Sequence, residues 1–314
     1  MADMTALRAH HRGGPEVLVV ERAPVPIPGP GEVLIEVHAG AITFDELTWP
    51  ETWERDGRDR TPVIPSHEVA GVIAATASDV TDLSVGDEVY GLIRFDRDGA
   101  AAEYVTAPAA DLAPRPTSVS HVVAAALPLA GLTAWQALVE HAAVQPGQRV
   151  LVHGGAGGVG ALTVQLALTL GADVSTTVRS DAARDFASTL GAHHVIDTRV
   201  QPFGQPDACY DVVIDTIGGD TLDRSFEIVC PGGKIVTLSA PPPPGNADVF
   251  GIDATFFIVE PDRAALEILA QYVDDARLHV AIAGTYPLAD GRAAFDSGRQ
   301  SNRRPGKTVL TILD

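Results

Sequence analysis

Cysteine is scarce in this 314-residue sequence. Cys209 and Cys230 are the only two, too few for a disulfide framework, so a reducing compartment is expected and both are read as buried packing residues. Positive charge is also short: 22 Lys and Arg face 41 Asp and Glu, a formal net charge of −19. That balance repels nucleic-acid phosphate and anionic lipid, and neither is expected as a partner. Missing as well is any run of about eighteen apolar residues, and Met1 to Met4 carry no basic region followed by an apolar stretch. Membrane spanning and secretion are therefore not expected, and the cytoplasm is the expected location. No internal repeat is visible, and Pro241 to Pro244 is the single low-complexity patch.

What is present suits two ordinary domains with full cores. From about residue 5 to 118, short apolar stretches (17–20, 33–37, 69–74, 88–92 and 102–106) alternate with Gly, Pro and Asp, a spacing that predicts a small antiparallel barrel or sandwich. From about 119 the texture changes to helical runs alternating with apolar strands. Segments 149–153, 173–178, 194–196, 211–215, 234–238 and 255–259 predict a parallel α/β sheet of six strands, buried on both faces. A helix through Leu266, Leu269 and Val273 and a last strand 308–313 have no place in that sheet and are assigned back to the first domain. The expected division is 1–118 with 260–314, and 119–259.

The strand Val150-Leu151-Val152 runs into Gly155-x-Gly157-x-x-Gly160 and then into a helix with Val159, Leu162, Leu166 and Leu170 on one face. In this strand-turn-helix context the first glycine permits a tight turn. The second lets backbone approach a pyrophosphate, and the third lets helix pack on strand. The helix N-terminus then favours the phosphates. The second strand ends Thr176-Thr177-Val178-Arg179-Ser180, with no carboxylate to accept hydrogen bonds from the ribose hydroxyls of NADH. Arg179 offers a guanidinium fork to a 2′-phosphate and Ser180 a further donor, which points to NADPH. Arg184 is a further cation nearby. The plainer alternative is two solvated arginines on an acidic protein, with Asp181 close by.

Several segments resemble the zinc-free quinone oxidoreductase branch of the medium-chain dehydrogenase/reductase superfamily, across nearly the whole chain. They are Pro62-Val63-Ile64-Pro65-Ser66-His67-Glu68-Val69-Ala70-Gly71, Val85-Gly86-Asp87-Glu88-Val89-Tyr90-Gly91, residues 125–135, the glycine loop, and Gly306-Lys307-Thr308-Val309-Leu310. The resemblance implies a GroES-like barrel domain made from both chain ends, a Rossmann domain between, and a cleft at their junction for nicotinamide and substrate. It also implies a homodimer pairing the last Rossmann strand, 255–259. Gly157, Gly158 and Val159 would lie at the pyrophosphate and Thr133 near the nicotinamide. Ile217 would line the cofactor, and Phe257 and Val259 would meet the carboxamide. For the last three, core packing is the competing role.

Zinc-dependent relatives hold their metal with a cysteine after the third barrel strand and a histidine in a Gly-His-Glu turn. Here His67-Glu68 keeps half of that turn, but the cysteine position reads Thr43, a poor zinc ligand, and the four-cysteine lobe is absent. No metal is expected. Without a Lewis acid, conjugated acceptors become the expected substrates: hydride adds to a quinone or an α,β-unsaturated carbonyl, and hydrogen-bond donors suffice for the delocalised enolate. Thr43, where relatives carry asparagine, is the candidate polar contact. His67 is the candidate donor or proton source because histidine titrates near neutrality, with a structural hydrogen-bonding role as the equal alternative. Glu46 and Glu68 serve equally well as loop braces, and Trp49 or Trp53 as a stacking surface for a planar substrate or as a packed lid. Two rival readings stay open, an enone or enoyl-thioester reductase of a biosynthetic pathway and an NADPH-binding protein with little catalysis.

Overall fold

The computed structural model describes residues 2–204, 209–300 and 303–313. The chain divides into two units, one of Met1–Leu129, Glu260–Ala276 and Val280–Asp314, the other of Ala130–Val259 and Arg277–His279. Among the described residues no helix is long and apolar enough to cross a membrane.

The first unit is built on the long strand Glu32–Ile42, in which Val33, Ile35, Val37, Ala39 and Ala41 alternate inward and are essentially without solvent contact. Three strands pair with it antiparallel: Glu68–Thr76, Tyr104–Pro108 and, from the far end of the chain, Lys307–Thr311. The seven-stranded sheet continues through Glu88–Leu92 to Leu112–Pro114 on one side and through Ile282–Pro287 on the other. Register decides what meets at its end. Thr308 lies opposite Ile42, and Glu68 lies opposite Ala41. Lys307, Thr43 and Glu68 are therefore brought together by strand pairing between segments distant in sequence.

The second unit is a parallel six-stranded sheet in the order His194–Asp197, Asp173–Val178, Arg149–Val152, Tyr210–Asp215, Val229–Thr237, Asp253–Phe256. Its central strands are apolar throughout, as two-sided burial demands: Val150, Leu151, Val152, Val212, Val213 and Ile214 are all at most 1% exposed. Strand order reverses between Arg149–Val152 and Tyr210–Asp215, the place where open α/β sheets leave a crevice beyond the strand ends.

The cysteines depart from expectation. Cys209 and Cys230 form a disulfide, with Cα atoms 5.0 Å apart, and both are half-buried. The cause is register. Tyr210 lies opposite Val229 on neighbouring strands, so a spacing of 21 residues in sequence becomes adjacency across the sheet.

Candidate cofactor site and active site

The glycine loop begins at His153, on the end of the strand Arg149–Val152. The left-handed turn falls on Gly154, at φ +76°, one residue before the glycine expected to make it. Gly155 serves a different purpose: a Cβ there would stand 2.0 Å from Thr176 Oγ1. At Gly160 a Cβ would lie 2.2 Å from the Gly154 carbonyl oxygen, so the helix Gly158–Thr169 can approach the loop only with glycine at that position. Gly157 is the exposed N-cap, without a side chain of its own over the free N–H groups of Gly158, Val159 and Gly160.

Beneath the loop, His153 is fully buried, with Nδ1 3.1 Å from Thr177 Oγ1 and Nε2 3.0 Å from Ser225 Oγ. The Ser225 hydroxyl donates to the Thr221 carbonyl, and the Thr177 oxygen accepts from the Gly154 amide. The network thus assigns the proton to Nε2, leaving Nδ1 as acceptor from Thr177. Burial, and the nearby Arg224, push this imidazole down to about 3, so it is neutral. On the neighbouring strand, the buried Asp215 carboxylate accepts from the amides of Ile217 and Gly218 and from the Thr237 hydroxyl. That turn leaves Ile217 51% exposed at the rim.

These elements enclose a pocket of about 410 Å³ whose walls include Gly157, Val178, Arg179, Phe203, Ile217 and Arg224. Three of the sequence-predicted cofactor residues, Gly157, Arg179 and Ile217, meet there. Among the described residues Arg179 makes no ion pair, because the nearby Asp181 is engaged by Arg184 at 3.2 Å and by Arg199 at 2.7 Å. Arg199 also grips Asp197 and holds that carboxyl down at about 2. Ser180 caps the helix Asp181–Thr189, its oxygen accepting from the Ala183 amide, and its own hydrogen remains to donate. Gly158 and Val159 open the glycine-loop helix. Thr133 is buried in the helix Pro128–Trp135, Phe257 packs its ring 4.3 Å from that of His141, and Val259 is half-buried; none of these three lines the pocket.

The other polar cluster belongs to the first unit. Ser66 takes φ +75°, a left-handed conformation that a non-glycine residue holds only with support. Its amide donates to Glu46 Oε2 at 3.0 Å and its hydroxyl to the Ala41 carbonyl at 2.9 Å, which fixes the direction of His67. His67 and Glu46 are 2% and 1% exposed, with Nε2 and Oε2 3.8 Å apart. Burial drives the Glu46 carboxyl up to about 8 and, with the Arg60 charge, the His67 imidazole down to about 4. Both are uncharged at neutral pH, so the contact is no ion pair and His67 offers a ring N–H but no imidazolium. Among the described residues neither ring nitrogen of His67 nor Glu46 Oε1 meets a hydrogen-bond partner.

Beside them Lys307 pairs with Glu68 and donates to Thr43 Oγ1 at 3.3 Å, while Glu68 Oε1 also accepts from the Leu129 amide. Sequence reasoning gave Lys307 no role, although it is one of only two lysines in the chain. Zinc does not fit this donor set: the cysteine position is a hydroxyl, and an ammonium already stands against Thr43 and Glu68. Among the described residues no group of three or more His, Cys, Asp or Glu is placed to hold a metal. Trp49 meets the Phe95 ring at 5.0 Å and Phe95 meets His67 at 5.2 Å, an aromatic series running inward to the imidazole. Trp53 is excluded as a stacking surface, being 2% exposed with its indole N–H on the Leu47 carbonyl.

Known proteins with this arrangement are numerous. A family profile described as an alcohol dehydrogenase GroES-like domain matches residues 29–117, and one described as a zinc-binding dehydrogenase matches 190–310. A 2-haloacrylate reductase from a Burkholderia species is 30% identical over 93% of this chain and 95% of its own length. The polyketide synthase GfsB of Streptomyces halstedii is 35% identical over 90% of this chain but only 5% of that much longer protein. The solved quinone oxidoreductase of Coxiella burnetii superposes with a TM-score of 0.91 at 28% identity, covering 99% of this chain and all of the other.

Proposed function

The chain belongs to the zinc-free quinone oxidoreductase branch of the medium-chain dehydrogenase/reductase superfamily, and on that premise we propose that it reduces a quinone or an α,β-unsaturated carbonyl with NADPH and without a metal. The observation that carries this reading is Lys307. Its ammonium lies against Thr43 and Glu68, where zinc-dependent relatives would place a cation of higher charge. An ammonium cannot coordinate an alkoxide as zinc does, and the acceptor must already be electron-poor.

The backbone of Gly157, Gly158 and Val159 holds the pyrophosphate, Arg179 and Ser180 the 2′-phosphate, and Ile217 the adenosine. Thr133, Phe257 and Val259 face the nicotinamide end. When bound, NADPH supplies the hydride, and one proton completes reduction to the saturated carbonyl or hydroquinone. Lys307 donates to Thr43 Oγ1, which leaves the threonine hydrogen free for the acceptor oxygen and makes it a stronger donor. His67 holds a ring N–H in the same region, and Glu46, still protonated at neutral pH, is the adjacent proton reservoir. The exposed edge strand Asp253–Phe256, paired on one side only, is the proposed seam of a homodimer.

A second reading, an enone or enoyl reductase of a biosynthetic pathway, is favoured by the identity to a stretch of a polyketide synthase. Following NADPH absorbance with 1,4-benzoquinone, a simple enone and an enoyl thioester separates the two. Under the proposal, turnover of a conjugated acceptor survives dialysis against a strong chelator. Efficient oxidation of a saturated alcohol, with no turnover of any conjugated acceptor, would overturn it. Arg179→Glu should weaken NADPH by roughly 10- to 150-fold and NADH far less, as the phosphate loses a charge-assisted partner of about 1.5–3 kcal/mol. Unchanged NADPH affinity in that variant would remove the cofactor assignment.

A further inference from the structure

The pocket beyond the glycine loop carries a second guanidinium that no sequence pattern singled out. Gly218 and Gly219, at φ +76° and +54°, turn the chain at the end of the strand Tyr210–Asp215 into the short helix Asp220–Ser225. Arg224 stands near the end of that helix. Its guanidinium carbon lies 4.5 Å above the centre of the Phe203 ring, and Nη1 is 3.6 Å from Asp220 Oδ2. Phe203 itself is 4% exposed and fixed from a second direction, meeting the His153 ring edge to face at 4.6 Å. His153 is in turn locked by its two hydroxyl partners. The guanidinium is thus backed by a series of rings, while about half of the side chain remains open.

We infer that Arg224, seated on Phe203, is the adenine-facing wall of this pocket and, with Arg179, a second residue that selects an adenosine-bearing cofactor. The inference rests on the proposed cofactor reading and adds to it a residue and a mode of contact. A planar cation held over a ring has a flat, weakly hydrated face to offer, which suits the π face of a purine. Arg179 reaches the same pocket from the end of the neighbouring strand, and the aliphatic Val178 and Ile217 also line it. On a chain of net charge −19, a pocket lined by two arginines and a single carboxylate, Asp220, is a local excess of positive charge that favours a phosphorylated ligand. Phe203 is a positioning residue, since it acts by holding the guanidinium.

Binding measured by calorimetry or protein fluorescence tests this without relying on turnover. The ligands are NADPH, 2′,5′-ADP, which keeps the adenosine half, and reduced nicotinamide mononucleotide, which lacks it. Arg224→Ala should weaken NADPH and 2′,5′-ADP by roughly three- to thirty-fold and leave the mononucleotide unchanged. Arg224→Lys should fail to rescue, because an ammonium has no flat face. Phe203→Leu should give a smaller loss in the same two ligands. Wild-type affinity for both adenosine ligands in Arg224→Ala, alongside weakened binding in Arg179→Ala, overturns the inference and leaves the cofactor reading standing. An unmodified protein that binds neither NADPH nor 2′,5′-ADP brings down both.

Discussion

His153 in the nucleotide unit and His67 in the barrel unit are equally deprived of solvent, and burial makes both imidazoles neutral. Their surroundings differ. His153 has a hydroxyl on each nitrogen and an aromatic ring against its face, so its hydrogen-bonding capacity is used up inside the fold. Among the described residues His67 has no hydroxyl on either nitrogen, although the Phe95 ring meets it at 5.2 Å, and the Glu46 carboxyl beside it is also left with an idle oxygen. A buried polar group normally finds a partner, because leaving it without one costs about 1–3 kcal/mol. Saturation at His153 is the mark of scaffolding. The unused capacity at His67 is what the proposed contact with the acceptor would draw on.

The comparison is broken most directly at His153. Truncation to alanine deletes two hydrogen bonds and a packed ring, and should cost about 2–4 kcal/mol, read as a lower urea midpoint. A variant as stable as the parent would remove the scaffolding role. The next effect is in pH. In the unfolded chain Glu46 and His67 titrate near 4.5 and 6.5, in the fold near 8 and 4. Between about 4.5 and 6.5 each state carries one proton on this pair, so their combined contribution to stability is level. From about 6.5 to 8 the fold keeps the Glu46 proton that the unfolded chain has lost, and stability falls by up to about 1.4 kcal/mol per pH unit. Glu46→Gln should abolish that alkaline fall. Persistence of the same slope in the glutamine variant would show that other groups set it. The smallest stability effect is expected at His67 itself, where leucine removes no hydrogen bond and should change stability by less than about 1 kcal/mol. In the same variant kcat and kcat/KM should fall together, the signature of a contact made in the transition state. A large loss of stability with unchanged kinetics would make His67 a second His153.

The histidine contrast also marks how far the sequence could be read. The strand pattern, the glycine loop and the acid-free strand end at Arg179 depend on local spacing, and they were legible. The packing role of Gly160 was legible, whereas the left-handed turn sits on Gly154, one residue before the glycine expected to make it, and Gly155 instead makes room for Thr176. What escaped was everything set by register between distant strands. Lys307 stands beside Thr43 only because Thr308 pairs with Ile42, and Cys209 meets Cys230 only because Tyr210 faces Val229. Nothing within a window of ten residues signals either. For Trp53 the sequence left a stacking surface and a packed lid both open, and the structure decides for packing, with the indole N–H turned to a backbone carbonyl. Arg224 and Phe203 lay in stretches without a motif, and their meeting needed the three-dimensional path of two separate connections.

The pairing of Lys307–Thr311 with Ala39–Ile42 also has a bearing on how the protein is made. The two partners of the Lys307–Thr43 bond lie 264 positions apart, and the entire nucleotide unit is translated between them. At about 5–20 residues per second, a ribosome needs roughly 13 to 53 seconds to cross that interval. During this time the strand Glu32–Ile42 waits with part of one edge unpaired, a template for the wrong partner. The nucleotide unit, contiguous except for three residues, has no such delay. The contact between Lys307 and Thr43 is thus completed late in synthesis, and the first unit, not the nucleotide unit, is the portion left longest with an unpaired strand edge.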